Sequence, residues 1–487
     1  MKAFRVTALL LIGTLLIGCG KREKSYDEDR TESYRVTAEG TIFGGRADDR
    51  IAMEVSYNPE WITKADNTGY NKKLAQFAAI LCDDVYFRDK DLDKGTQNRV
   101  LYEDGNGEAY DRATLLKKLG FSEVRYVESF KEKEYTGDSN DSATFLLAHT
   151  VVDGKYDLYA VVFRGCFSAQ EWLSMFDPGS AGEAYEAYTG QHPEWSDRDV
   201  HKGLAIAKNR ALSFIDEFIG QNDNPDLENC ILVTGHSRGG ALANLIGAEM
   251  ENRSDMKSYT YTFSAPGVTV NREAGKYNTI FNVFDRDDFY TEPLVFGSEE
   301  FVRYGRDCVM AIDDSEELKA EIAKLKGRDD YCCMEQKARE EFLSSFAGRF
   351  ADRASLYREM EIAKVFDTEE EATAYEERCR LLIGADNGLG LEAFCRIERS
   401  GQGQVVMYYC GAGILAAYAK TLAYGKAAYE AATELFAEDE STCKELRLLM
   451  EQATGLTGGH LLINMYAACG YGRAEEVFLR PVEEPAE

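Results

Sequence analysis

The chain has 487 residues, 44% hydrophobic and 11% aromatic, enough apolar side chain for a large core, which excludes disorder and a small disulfide scaffold. Lys and Arg total 56 against 85 Asp and Glu, a formal charge of −29 with no long basic cluster, which excludes a nucleic-acid partner because phosphate binding needs concentrated positive charge. The twelve cysteines are scattered, and no CxxC pair or Cys/His cluster at zinc spacing occurs, so no zinc site is expected; the chemistry argued below requires neither a metal nor an organic cofactor.

In chain order, residues 1–18 read as an export signal: Lys2 and Arg5 make a positive start, and Ala8 to Ile17 form an apolar stretch too short to span a bilayer. Its end, Leu16-Ile17-Gly18-Cys19, resembles the lipobox of bacterial lipoproteins. The resemblance implies cleavage before Cys19, lipidation of that cysteine, and a bacterial cell-envelope location with the protein held to a membrane and facing away from the cytoplasm. Residues 19–34, dense in Lys, Glu, Asp, Arg and Ser, read as a solvated tether. Loss of 1–18 removes two positive charges and no acid, so the acidic body should be repelled by anionic headgroups, and the lipid on Cys19 would overcome that. Besides Cys19, eleven cysteines remain, an odd number for an exported chain, and the vicinal Cys332-Cys333 does not suit a simple bridge.

Tyr34 to Tyr57 has two extended runs about Gly44-Gly45, a hairpin. Leu74, Phe77, Ala78 and Leu81 recur at three- and four-residue spacing, one face of a buried helix over 70–86. Leu115 to Phe121 resembles a helix end, and Ala143 to Val152 and Asp157 to Phe163 read as strands, the second apolar on both faces as a central parallel strand is. A helix over 201–219, a strand over 230–234, a small-residue helix over 239–250, and strands over 259–263 and 279–284 follow. This alternation predicts a central, mostly parallel sheet with helices on its faces. Residues 299–380 are charged and helical in pattern, with Phe342, Phe346 and Phe350 at four-residue spacing, and Val405 to Ala419 reads as a buried helix. The expected division is 35–294 as an α/β core, 295–455 as an inserted, mainly helical cap, and 456–487 as a return to the core.

The motif that carries chemistry is Gly235-His236-Ser237-Arg238-Gly239, a G-x-S-x-G between an apolar strand and a helix rich in Ala and Gly, which is the nucleophile elbow of an α/β-hydrolase. Outside that context the same residues would be a Gly-rich turn with a surface serine. A serine hydroxyl needs a histidine to take its proton, and in this fold the order is Ser, then acid, then His. His460 is the one histidine after Ser237 and is the base by elimination; His149, His192 and His201 precede the elbow, and His236 reads as a packing or hydrogen-bonding residue. Asp285, Asp287 and Asp288, just past a strand, are the candidate acids, and the spacing does not choose among them.

The chain resembles the class 3 lipases, the fungal-lipase-like branch of the α/β-hydrolases, on several ordered segments. These are Phe163-Arg164-Gly165-Cys166 with Glu171-Trp172-Leu173, Val200-His201-Lys202-Gly203-Leu204, the elbow with Gly240-Ala241-Leu242-Ala243, Phe263-Ser264-Ala265-Pro266, and Phe281 to Tyr290. The resemblance implies Asp288 as the acid and an oxyanion hole from the backbone N–H groups of Cys166 and Arg238. Cys166 stands where the family has Ser or Thr, and Ser264 where it has Gly. The segment 179–195 sits where the family carries its lid and reads otherwise as an ordinary surface loop, and the Phe stripe would pack a helix core or line an acyl groove. The implied protein is a membrane-anchored serine lipase or esterase acting on lipid or other acyl esters through an acyl-enzyme. The competing reading is a weak or inactive lipid-binding scaffold that keeps the hydrolase fold.

Overall fold

The computed structural model describes residues 26–39, 43, 50–86, 101–103, 109–110, 112–127, 143–166, 199–286, 288–291, 301–312, 315–328, 360–366, 368–371, 373–374, 395–399, 405–410, 460–470 and 478–479. The expected hairpin is present: β1 (Glu32–Glu39) pairs antiparallel with β2 (Arg50–Tyr57), Val36 opposite Met53. Ile51, Met53, Val55 and Tyr57 alternate inward along β2, the two-residue period of a half-buried strand. The first long helix, α1 (Lys72–Asp84), is started by Asn71, whose side chain accepts the backbone N–H groups of Lys73 and Leu74. It buries Leu74, Phe77, Ala78 and Leu81 as their spacing predicts. Two short strands, β3 (Leu101–Glu103) and β4 (Ala109–Tyr110), extend the hairpin into a sheet of order β2-β1-β3-β4. A short helix, α2 (Arg112–Lys118), follows.

The second sheet is the frame of the molecule. Its strands are β5 (Glu123–Val127), β6 (Phe145–Val152), β7 (Tyr156–Phe163), β8 (Glu228–His236), β9 (Met256–Phe263), β10 (Ile280–Asp285) and β11 (Arg306–Met310), with β15 (Phe478–Leu479) at the far edge. From one edge the order is β15-β11-β10-β9-β8-β7-β6-β5, and β7 to β11 run parallel to one another. Between these strands lie α3 (Lys202–Asn222) and α4 (Arg238–Glu251), and after them α5 (Glu316–Lys326). Strands β12 (Met360–Phe366), β13 (Cys395–Arg399) and β14 (Val405–Cys410) make a separate three-stranded antiparallel sheet, and α6 (Leu462–Gly470) closes the set. Helices cover both sides of the sheet: Thr234 of β8 meets Cys82 of α1 on one face, whereas Thr260 of β9, paired with Val233, lies under Gly247 of α4 on the other. On the α1 side α6 packs against α1, and the Gln76 side-chain amide donates to the carbonyl of Tyr466. This is the α/β-hydrolase arrangement, an α/β fold with a mostly parallel central sheet.

Three expectations change. The segment read as tether to residue 34 is already packed on the body from Tyr26, with a 3-10 turn at Glu28–Arg30 and β1 beginning at Glu32. Two of its polar residues are tied down: the buried Glu60 carboxylate accepts the Asp27 N–H at 2.8 Å and the Arg30 guanidinium at 2.6 Å. The core sheet does not stop at 294, because β11 pairs with β10, Asp285 opposite Met310, and β15 pairs with β11. Val405 to Ala419 begins as strand β14, its β-branched and aromatic residues (Val405, Val406, Tyr408, Tyr409) suiting a pleated surface, and a short apolar run does not distinguish strand from buried helix by periodicity. The signal, Cys19, Cys332-Cys333, the Phe342 stripe, Glu171 to Leu173 and the 179–195 segment lie outside the described residues.

Candidate active site

Parallel strands put their carboxyl ends on one edge of a sheet, where following loops can converge. Here β7, β8, β9 and β10 are neighbours, and their ends, Phe163, His236, Phe263 and Asp285, lead into Arg164-Gly165-Cys166, Ser237, Ser264 and the turn to Asp288.

At the elbow the chain leaves β8 and enters α4 through the single residue Ser237, with φ 58° and ψ −129°. A positive φ is costly for a non-glycine residue and is kept only where surroundings enforce it. Two bonds do so: the Ser237 N–H donates to the carbonyl of Phe263 at 2.9 Å, and its own carbonyl accepts the Ala241 N–H. The flanking glycines are required by space. A Cβ on Gly235 would overlap the carbonyl of Gly239, and one on Gly239 would lie 2.5 Å from the carbonyl oxygen of Phe163. Ser237 is 8% exposed and begins α4, whose first backbone N–H groups, including that of Arg238, have no helical acceptor.

The candidate acid Asp288 and the candidate base His460 meet. His460 Nδ1 lies 2.9 Å and 3.1 Å from the two carboxylate oxygens of Asp288, which is fully buried. Asp288 is itself fixed: Oδ1 accepts the Tyr290 N–H, its N–H donates to the carbonyl of Asp285, and its carbonyl accepts the Thr291 hydroxyl. Of the three candidate acids, Asp288 therefore contacts the histidine, Asp285 ends β10 and supports the turn by its backbone, and Asp287 lies outside the described residues. Because Nδ1 faces the carboxylate, the His460 ring presents Nε2 on its other side.

The imidazole of His460 sits between two rings, His236 at 4.6 Å and Tyr290 at 4.4 Å between centroids. Ser237 follows His236 directly, so the elbow and the histidine share one end of the sheet across more than 220 residues of chain. Burial, reinforced by the Asp288 carboxylate, pushes the Tyr290 phenol well above its usual range and keeps it neutral. His236 is buried: its Nδ1 accepts the Tyr86 hydroxyl at 2.8 Å, and its Nε2–H donates to the backbone carbonyl of His460 at 2.9 Å. Cys166 is partly exposed on the loop after β7.

His201 has a different purpose. Its Nδ1 accepts the Gly203 N–H and caps α3, while its own N–H donates to Val268, so it is a buried structural residue. Sequence reasoning missed Tyr86, Tyr290 and Arg303. Arg303 ties the site's loops together by donating to the carbonyls of Ala265 and Thr291 at 2.6 and 2.9 Å while lying over the Phe284 ring. Tyr290 was within reach, two residues past the acid; Tyr86 and Arg303 carry no signal in their neighbourhoods.

Residues 160–293 match the family model described as Lipase (class 3). No curated protein matches the chain. Among solved structures the chain is similar to a Rhizomucor miehei lipase in a propeptide complex, 19% identical, over 50% of this chain and 68% of that one, with a TM-score of 0.31. It is also similar to a lipase from Yarrowia lipolytica, 18% identical, over 45% of this chain and 72% of that one, TM-score 0.28. A lipase from Rhizopus microsporus var. chinensis is 16% identical over 45% and 67%, TM-score 0.26. The stretch that holds the elbow and Asp288 thus matches the class 3 lipase family, and the sheet just described has the α/β-hydrolase fold.

Proposed function

We propose that the protein is a serine ester hydrolase, a lipase or esterase. The observation that carries this reading is the Asp288–His460 hydrogen bond, placed at the same sheet edge as the strained Ser237. In this reading Ser237 Oγ attacks the ester carbonyl and His460 Nε2 takes its proton. Asp288 holds the tautomer with Nδ1–H and stabilises the imidazolium that forms. The N–H groups of Cys166 and Arg238 receive the negative charge that develops on the carbonyl oxygen. His460 returns the proton to the leaving alcohol, and water, deprotonated by the same histidine, releases the acid from the acyl-serine. The family match supports a lipid ester as the substrate class; the triad alone would serve any acyl group.

A fluorophosphonate bearing a long alkyl chain tests the reading: it should label wild-type protein at Ser237 and leave Ser237→Ala unlabelled. Labelling elsewhere, or none, contradicts it. The envelope address belongs to the same proposal and is supported by Lys2, Arg5, the apolar run and Cys19. Cys19→Ser should move the protein from the membrane fraction to the soluble one, and unchanged fractionation contradicts lipid anchoring. With the body packed from Tyr26 onward, the tether between Cys19 and the fold is shorter than its composition suggests.

A further inference from the structure

We propose that His236 and Tyr86 form a positioning relay that fixes the backbone of the catalytic base, so that His236 is a functional residue rather than a packing one; this rests on the ester-hydrolase reading. The argument starts from directionality. A backbone carbonyl can only accept, so the 2.9 Å contact between His236 Nε2 and the carbonyl of His460 requires a proton on Nε2. The other ring nitrogen then accepts, and the donor it finds is the Tyr86 hydroxyl at 2.8 Å. The chain of bonds therefore runs one way, from Tyr86 O–H to His236 to His460 C=O.

His460 is thus held from two sides, its ring by Asp288 and its main chain by His236. The second hold matters because His460 enters the site from a distant part of the chain, just before α6. A ring anchored by one hydrogen bond can still swing about its own backbone, and a displacement of about 1 Å at the reacting atoms can cost ~100-fold in rate. The relay couples that backbone to the elbow itself, since His236 is the last residue of β8 and Ser237 follows it. Nucleophile and base are located by adjacent residues of one strand end.

Two further observations fit. The surroundings keep His236 uncharged: burial, and then the adjacent His460, lower its basicity well below the usual histidine range, outweighing the bond to the His460 carbonyl. A neutral neighbour does not repel the imidazolium that His460 becomes during turnover. Among the described residues, the titratable groups whose rings face His236 are Tyr86, just past α1, and His460, just before α6, and the Tyr86 phenol is itself kept neutral by burial. The space for the relay is also reserved: a Cβ on Gly165, in the loop that carries Cys166, would overlap the Tyr86 hydroxyl and lie 2.8 Å from the carbonyl oxygen of His236.

The test compares His236→Phe, His236→Gln and Tyr86→Phe with wild type on a p-nitrophenyl ester, with melting curves to establish folding. Phe keeps a ring without the donor, whereas the Gln amide can place an N–H near the Nε2 position. We expect His236→Phe to lose about 100-fold in kcat with KM within about twofold, Tyr86→Phe about tenfold, and His236→Gln to recover most of the loss. If His236→Phe does not fold, the Gln and Tyr86→Phe variants carry the comparison. Imidazole nitrogen NMR provides a readout apart from turnover: His236 should remain the neutral Nε2–H tautomer from pH 8 to pH 5 in wild type. Wild-type kcat in Tyr86→Phe and His236→Phe, or a His236 that charges in that range, overturns the relay alone. A wild-type protein inert toward every ester overturns the hydrolase reading as well.

Discussion

His460 Nδ1 and the Asp288 carboxylate, 172 residues apart in the chain, lie 2.9 Å apart in the structure, with the aspartate fully buried. Burying a carboxylate without partners is costly, and Asp288 has the Tyr290 N–H and the histidine to offset that cost. Asp288→Asn keeps the shape but presents an amide that can donate toward Nδ1 and so favours the wrong tautomer. It should lower kcat by about 10³- to 10⁴-fold with little effect on folding. Steady-state kinetics with a melting curve checks this; a loss under tenfold would mean that Asp288 does not orient the base.

Ser264 stands where the resembled family has glycine, and the structure gives the reason for glycine: φ is 50°, and the side chain is fully buried with its hydroxyl lacking a hydrogen-bond partner. Both features cost stability in a serine and neither does in a glycine. Ser264→Gly should therefore stabilise the fold by about 1 kcal/mol, read as a higher urea midpoint at unchanged slope.

Cys166 offers a thiol where Ser or Thr would offer a hydroxyl, and a thiol is a weak donor. If the loop after β7 supplies the oxyanion site, Cys166→Thr should raise kcat by about tenfold, within the several kcal/mol that a good oxyanion donor contributes. Lower turnover in this variant would assign the thiol a purpose of its own.

Glu60 holds the N-terminal segment. Burial pushes its carboxyl up, but the Asp27 N–H, Lys64 and Arg30 together outweigh burial and hold it down at about 2. Since the unfolded value is near 4.5, the stability this group contributes is complete above pH 4.5 and is lost as pH falls toward 2. Glu60→Gln should cost about 2 kcal/mol at pH 7 and flatten the fall in melting temperature between pH 4.5 and 2. An unchanged acid limb in the variant would show that Glu60 is not a source of the acid sensitivity.

Much of the frame was legible because its elements are strongly patterned. The spacing of Leu74, Phe77, Ala78 and Leu81 gave α1, and the apolar runs ending at Phe163, Thr234, Phe263 and Phe284 gave four adjacent parallel strands. The elbow was legible from five residues because only glycines fit on either side of Ser237. Asp288 and His460 were reached by chain order and resemblance, and their contact depends on a fold that spacing alone cannot compute. The edge strands β11 and β15 were not legible: Arg306 to Met310 opens with two charged residues, and two residues at 478–479 carry no period. Tyr86 acts through His236, 150 residues away, and Arg303 through Thr291 and Ala265, 12 and 38 residues away, and no local pattern marks such a residue. The tether was misread because composition reports polarity, whereas Asp27 and Arg30 are bound by a single buried carboxylate.

The central claim is that Ser237 is an acylated nucleophile. Purified protein lacking residues 1–19 should hydrolyse p-nitrophenyl esters of graded chain length, and Ser237→Ala should reduce kcat by about 10⁵-fold or more on each. Equal rates for wild type and Ser237→Ala on every ester and on phospholipid would contradict the account.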